Sequence, residues 1–269
     1  MSPTWLMVWL FLELNLMAVM PLLGLGLVYY FVIQSLAGLI FLFGGMGPSF
    51  PLLLISMMIK LAVFPFSFWM LYVIKSSPWL GGAFLSSLSK LLPLWVLNTL
   101  PMKSMTAFLL LTILWGSVYG IFQTKVKGVL ACSSVGHTGW LSLFVTMSIK
   151  SWFIYFLTYF PLVLLLFLFS SKSEFDYWSS MNYYKIPLLT TLLILSGIPP
   201  FSGAWLKIVA FMSLNYEISF MFSLLFFMAS ALNMFFYFKL MIGMLNKNEK
   251  MKFHHLLLSF TLMLPQFLI

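Results

Sequence analysis

The sequence predicts an all-α, polytopic transmembrane bundle of about ten helices, several interrupted by proline, with charged groups held inside the hydrocarbon layer. Three observations predict it. Hydrophobic residues fill 62% of the 269 positions and charged residues only 7%, whereas a water-soluble domain carries about a quarter charged residues. Mean hydropathy is +1.07. Segments such as Phe153 to Phe169 are apolar on every side, which excludes the alternating pattern of a membrane β-strand. A crossing of a hydrocarbon core about 30 Å thick uses roughly 20 apolar residues as a helix, so crossings consume the length. The chain reads as one membrane domain, residues 1–269.

Proline, glycine and charge punctuate the helices. The first, 4–21, lies between Pro3 and Pro21; it has no basic leader and no small-residue cleavage site, and Glu13 sits at its centre, so it is expected to be retained. Next come 24–45, then 50–73, which holds Lys60 and Pro65, then 81–100, which holds Lys90 and Pro93. Helices 105–121 and 128–147 follow, the second carrying His137 in Ser133-Ser134-Val135-Gly136-His137-Thr138-Gly139-Trp140. Helix 151–170 contains Pro161, expected to be an ordinary kink. Helix 187–213 is broken by Ser196 to Gly203 just before Lys207, and 219–244 and 254–268 complete the set. The longest polar connection is Ser170 to Lys185, and there is no convincing internal repeat.

The formal charge of +9 invites a nucleic-acid reading, but the basic residues are all lysine and are scattered, which fits membrane orientation better than a phosphate-binding surface. With the termini on one side, the opposite loops carry Lys75, Lys125, Lys127, Lys172, Lys185, Lys247, Lys250 and Lys252; the terminal side holds Lys103 and Lys150. The termini are therefore expected on the positive-poor side. The lone Cys132 excludes an intrachain disulfide and supplies no metal-ligand spacing.

Lys60, Lys90, Lys207, Lys239 and Glu13 remain inside predicted helices. A charge at mid-membrane costs at least about 2.5 kcal/mol. Lys239, near a helix end, is read as a snorkelling anchor. The other three lie deep. Burial favours the neutral amine and a nearby carboxylate the charged one, which makes such a lysine a switchable proton site. Glu13 is the sole acid in the layer, and its natural partner is one of these lysines; a static pair that fixes helix packing is the alternative. Each deep lysine adjoins a break, where proline leaves a carbonyl unpaired and admits water. His137 serves either as a relay or as a hydrogen-bonded packing residue. His254 and His255 are assigned no role. No phosphate loop, nucleophile–base pair, haem or iron–sulfur ligand set is present in the sequence.

In this order the residues resemble the chain 2 type of antiporter-like subunit of respiratory complex I, the mitochondrial NADH:ubiquinone oxidoreductase. Trp9 to Leu16 looks like the helix with a mid-membrane glutamate, and Lys60 to Trp69 is similar to the K-L-x-x-x-P-F-H-F-W segment. Lys90 to Pro93 resembles the next lysine helix. Gln123 to Lys127, Leu130 to Ser134 and His137 to Trp140 form a third stretch, and Ser196 to Lys207 a further one. The resemblance implies a proton-translocating membrane subunit: Glu13 and Lys60 a coupled pair at the entry half-channel, Lys90 the central relay, His137 part of the axis and Lys207 the terminal proton site. It implies no cofactor on this chain, with FMN, iron–sulfur clusters and ubiquinone on other subunits. Partners would be other membrane-arm subunits on both sides and membrane lipids, with no nucleic acid. The place would be the mitochondrial inner membrane, termini on the intermembrane-space side.

There are departures. The family's usual first helix is lacking before the glutamate helix, Ser67 replaces the motif histidine, an acid after that motif is absent, and Ala210-Phe211-Met212-Ser213 stands where acids often follow the terminal lysine. They motivate a second reading, a scaffold subunit that does not pump. A stand-alone cation/proton antiporter is a third, disfavoured because there is no second deep acid.

Overall fold

The computed structural model describes residues 5–47, 50–100, 105–147, 149–172, 185–198, 201, 203–205, 207–209 and 220–245. Helices account for the regular structure throughout, and there is no strand among the described residues. In chain order they are α1 (Trp5–Val19), α2 (Leu27–Met46), α3 (Phe50–Leu61), α4 (Phe68–Ser76), α5 (Trp79–Ser86), α6 (Leu91–Leu97), α7 (Thr106–Ile121), α8 (Val126–Met147), α9 (Ile149–Lys172), α10 (Lys185–Ser196) and α11 (Phe220–Leu245). Among the described residues, six helical stretches are long and apolar enough to cross a membrane: Trp5–Leu22, Gly24–Met46, Trp79–Leu97, Val126–Thr146, Ser151–Ser171 and Leu224–Ile242. The expected helix 254–268, the loop lysines Lys103, Lys247, Lys250 and Lys252, and Ala210 to Ser213 lie outside the described residues.

Two expected helices are each two pieces. The stretch expected as 50–73 is α3 and α4 around a bend at 62–67. There the Val63 N–H donates to Met58 O (2.9 Å) and the Ala62 N–H to Ile59 O (3.2 Å), with Ala62 at φ 57°. That is the double bond pattern of a helix stop in which the residue after the cap turns left-handed, a place normally taken by glycine. Pro65 could not have continued the ladder. The stretch expected as 81–100 breaks at Ser87, passes through a 3₁₀ turn, Leu88–Lys90, and resumes as α6. By contrast α9 runs unbroken through Pro161.

The bundle is organised around α8, whose membrane-length stretch is buried along all of its length. It packs on α4, α6, α7, α9 and α11. Its buried polar side chains need partners, and most find them at home: the hydroxyls of Ser133, Ser134, Thr138 and Ser142 donate to carbonyls three or four residues back (2.6–2.8 Å). Glycine sets the approach of α7. A Cβ on Gly116 would lie 2.8 Å from Gly136 N and 2.9 Å from Cys132 O, so the two backbones meet with no side chain between them, the small-residue packing of membrane helices. α1 and α2 instead turn Leu6, Phe11, Leu14, Leu36 and Phe43 outward, as lipid-facing surfaces do.

Candidate functional site

The helix stops create the site, because each leaves carbonyls that a neighbouring side chain must satisfy. At the end of α3, Ile59 O accepts from Trp69 Nε1 (2.9 Å) and Lys60 O from Gln34 Nε2 (3.3 Å). Thr112 Oγ1 accepts the Phe64 N–H at 3.0 Å. Pro93 has no N–H to give Ser89 O, and Asn15 Nδ2 donates there instead (2.9 Å). At the end of α10, the Ser196 carbonyl accepts from the Lys207 amine at 2.8 Å. The breaks predicted from proline thus coincide with the polar contacts of the interior.

Lys60, Lys90 and Lys207 are 7%, 3% and 9% exposed. Lys60 Nζ lies 3.6 Å from Glu13 Oε1, longer than the 2.7–2.9 Å typical of a tight charge-assisted hydrogen bond. Oε1 is buried and, among the described residues, accepts no hydrogen bond. Room for this carboxylate comes from Gly38, where a Cβ would stand 2.0 Å from Oε1 and 3.3 Å from Trp9 Nε1. Beside the pair is a cavity of about 10 Å³ lined by Leu12, Asn15, Gln34, Lys60, Trp69 and Ser89 among others; it has polar walls and space for about one water. Asn15, whose amide holds Ser89 O, thereby joins the Lys60 side of the cavity to the turn that carries Lys90.

The Lys90 amine donates to Ser134 O on α8 (2.8 Å) and lies 5.9 Å from the centre of the Tyr159 ring. One turn further along α8, His137 is buried between two phenols: Nδ1 is 2.7 Å from the Tyr155 hydroxyl and Nε2 3.3 Å from the Tyr237 hydroxyl. Gly197, at φ 76°, clears the space beside Lys207: a Cβ there would be 2.7 Å from Nζ. Lys239 sits apart. It is exposed and donates to Ile121 O at the end of α7 (2.8 Å), the contact expected of an anchor that closes a helix terminus.

The structure therefore brings Glu13 to Lys60, sets His137 one turn along α8 from the carbonyl that holds Lys90, and leaves Lys239 exposed at the end of α7. Asn15, Gln34, Tyr155, Tyr237 and Asn233 were not singled out by the sequence reading. The signal available was an amide inside an otherwise apolar helix, which in lipid requires a partner; the tyrosines gave none, because tyrosine is ordinary at membrane interfaces.

Residues 47–233 match the family model described as NADH:quinone oxidoreductase/Mrp antiporter, transmembrane. The NADH-ubiquinone oxidoreductase chain 2 of Lumbricus terrestris is 32% identical, over 90% of this chain and 81% of its own length. That of Locusta migratoria is 30% identical, over 79% and 71%. Among solved structures, a chain of respiratory complex I from Thermus thermophilus superposes with a TM-score of 0.85 at 22% identity, covering 97% of this chain and 72% of that one. A chain of the Mrp complex from Dietzia sp. gives 0.81 at 16% identity, over 90% and 57%; at these identities the likeness is one of fold.

Proposed function

The chain belongs to the NADH-ubiquinone oxidoreductase chain 2 family of antiporter-like membrane subunits, and from that membership we propose that it translocates protons along Glu13, Lys60, Lys90, His137 and Lys207. The observation that carries this reading is the loose pair of Lys60 and Glu13 at 3.6 Å, with the carboxylate oxygen unbonded among the described residues. Such a pair is attracted but not locked. A proton gained or lost at the amine changes the balance between its desolvation and its attraction to the carboxylate, and no partner has to be torn away. From there the path passes the cavity beside Asn15 and Ser89, reaches Lys90, and ends at Lys207, with water carrying protons across the gaps.

In this reading the membrane is the mitochondrial inner membrane. The end with Lys75 and Lys127 faces the matrix, and both termini face the intermembrane space. Other membrane-arm subunits flank the chain on both sides. They and the rest of the complex hold FMN, iron–sulfur clusters and ubiquinone, and supply the redox energy.

A non-pumping scaffold is the second reading. It draws on the amines of Lys90 and Lys207, each of which donates to a backbone carbonyl, an arrangement that also suits a structural cap. Lys90→Met separates the two. It removes the charge and keeps an apolar stem, so assembly of the complex is expected to survive while the proton-to-electron stoichiometry of NADH oxidation in sealed vesicles falls. Unchanged stoichiometry in an assembled complex gives the scaffold the case.

A further inference from the structure

His137 is reached through oxygen on both sides. Tyr155, from α9, meets Nδ1 at 2.7 Å, and Tyr237, from α11, meets Nε2 at 3.3 Å. A neutral imidazole has one ring N–H and one bare nitrogen, so it can accept from one phenol while donating to the other. The two phenols come from different helices. Tyr155 lies on the same helix as Tyr159, whose ring faces the Lys90 amine at 5.9 Å and whose hydroxyl donates to Ser86 O (3.3 Å), one residue from the break before Lys90. Tyr237 lies on α11, which packs against α10, the helix that ends in the Ser196 carbonyl holding Lys207. One turn before Tyr237 on the same helix, Asn233 is 6% exposed and its Oδ1 has no hydrogen-bond partner among the described residues. It lies against Gly136, the residue before His137, and adds an acceptor beside the imidazole's helix.

We propose that Tyr155 and Tyr237 are proton-relay residues, which carry the proton into and out of His137 on the way from Lys90 to Lys207. This rests on the proton path proposed above. The step balances without any net charge on the three side chains. Water on the Lys90 side gives a proton to the Tyr155 oxygen, and the original Tyr155 hydrogen passes to Nδ1. The hydrogen on Nε2 passes to the Tyr237 oxygen, and the original Tyr237 hydrogen leaves to water on the Lys207 side. One proton enters and one leaves; the imidazole is left as the Nδ1–H tautomer, and exchange of that hydrogen for one on Nε2 through water, by a route that does not retrace the two phenols, resets it. No imidazolium has to form in a site enclosed by helices, where a buried charge is expensive.

Phenylalanine tests this directly, because it keeps each ring in place and removes only the hydroxyl. Tyr155→Phe and Tyr237→Phe are made in the whole complex, with Tyr119→Phe as the control; Tyr119 stacks on Trp115, away from His137. Assembly, quinone reduction and proton-to-electron stoichiometry are read in sealed vesicles beside Lys90→Met. Each relay variant is expected to assemble and to lose as much stoichiometry as Lys90→Met, with Tyr119→Phe at the wild-type level. Wild-type stoichiometry in both relay variants, with Lys90→Met impaired, would overturn the relay and leave the path intact. Failure of both to assemble would assign the hydroxyls to packing and overturn it too. Lys90→Met at the wild-type level would instead sink the path as a whole.

Discussion

Glycine 38 is worth as much to the Glu13–Lys60 pair as either charged residue, because it decides where the carboxylate can rest. A methyl group at that position would occupy the place of Oε1, 2.0 Å away, and crowd Trp9 Nε1 at 3.3 Å. Three consequences compete: the carboxylate rotates toward the outer face, α1 moves off α2, or both share the strain. Overpacking of this kind costs about 1–3 kcal/mol. Gly38→Ala is therefore expected to lower the thermal inactivation temperature of the assembled complex. The loss should be smaller in a Glu13→Ala background, where the nearest clash is removed and only the Trp9 contact is left. An equal loss in both backgrounds would show that the carboxylate does not rest against Gly38.

At the scale of the element, α7 and α8 are held by an asymmetric contact. A Cβ on Gly116 meets only backbone, with Gly136 N, Cys132 O and Gly136 Cα all within 3.0 Å, whereas a Cβ on Gly136 finds Asn233 side-chain atoms no nearer than 3.7 Å. Backbone cannot yield as a side chain does. Gly116→Ala should thus reduce the amount of assembled complex severely, and Gly136→Ala should leave it near the wild-type level; the reverse order on a native gel would refute this packing. The same elements show what a single sequence can and cannot disclose. The breaks beside Lys60, Lys90 and Lys207 were readable because proline forbids a local bond, and local chemistry is written in neighbouring residues. Which side chain then takes the freed carbonyl was not. Asn15 reaches Ser89 across 74 positions and Gln34 reaches Lys60 across 26, and such pairings depend on which helices lie side by side. The division of 50–73 into α3 and α4 was missed as a boundary although Pro65 marked it, since hydropathy does not drop across 62–67. Tyr155 and Tyr237 were hidden for the same reason as Asn15, with the added camouflage that tyrosine is at home near membrane surfaces.

Across the whole molecule, lysine positions and three-dimensional neighbours identify one end of the bundle. Lys127 Nζ donates to Ser77 O (3.2 Å) and sits 4.7 Å over the Trp79 ring, while Lys75 lies 5.9 Å from the Tyr119 ring and Lys239 closes α7 at Ile121. The turn before α2 belongs to this end, since Gly26 abuts Ser76 and Val73 and Gly24 abuts Pro78. The far end of α2 abuts Trp5, Leu52 and Leu53. Leu25 and Met46, 91% and 81% exposed, therefore stand at opposite ends of the α2 stretch. Because Cys132 is buried, a single introduced thiol at either position reports alone. Orientation by positive charge predicts that an impermeant maleimide labels Met46→Cys in vesicles whose intermembrane-space face is outward and Leu25→Cys in inverted ones. The opposite pattern would put the end with Lys75 and Lys127 on the intermembrane-space side, and labelling of both from one face would mean that α2 does not cross. Entry at Glu13 and Lys60 acquires a side only through this measurement, because Glu13 lies near the middle of α1 and the pair by itself is indifferent to direction.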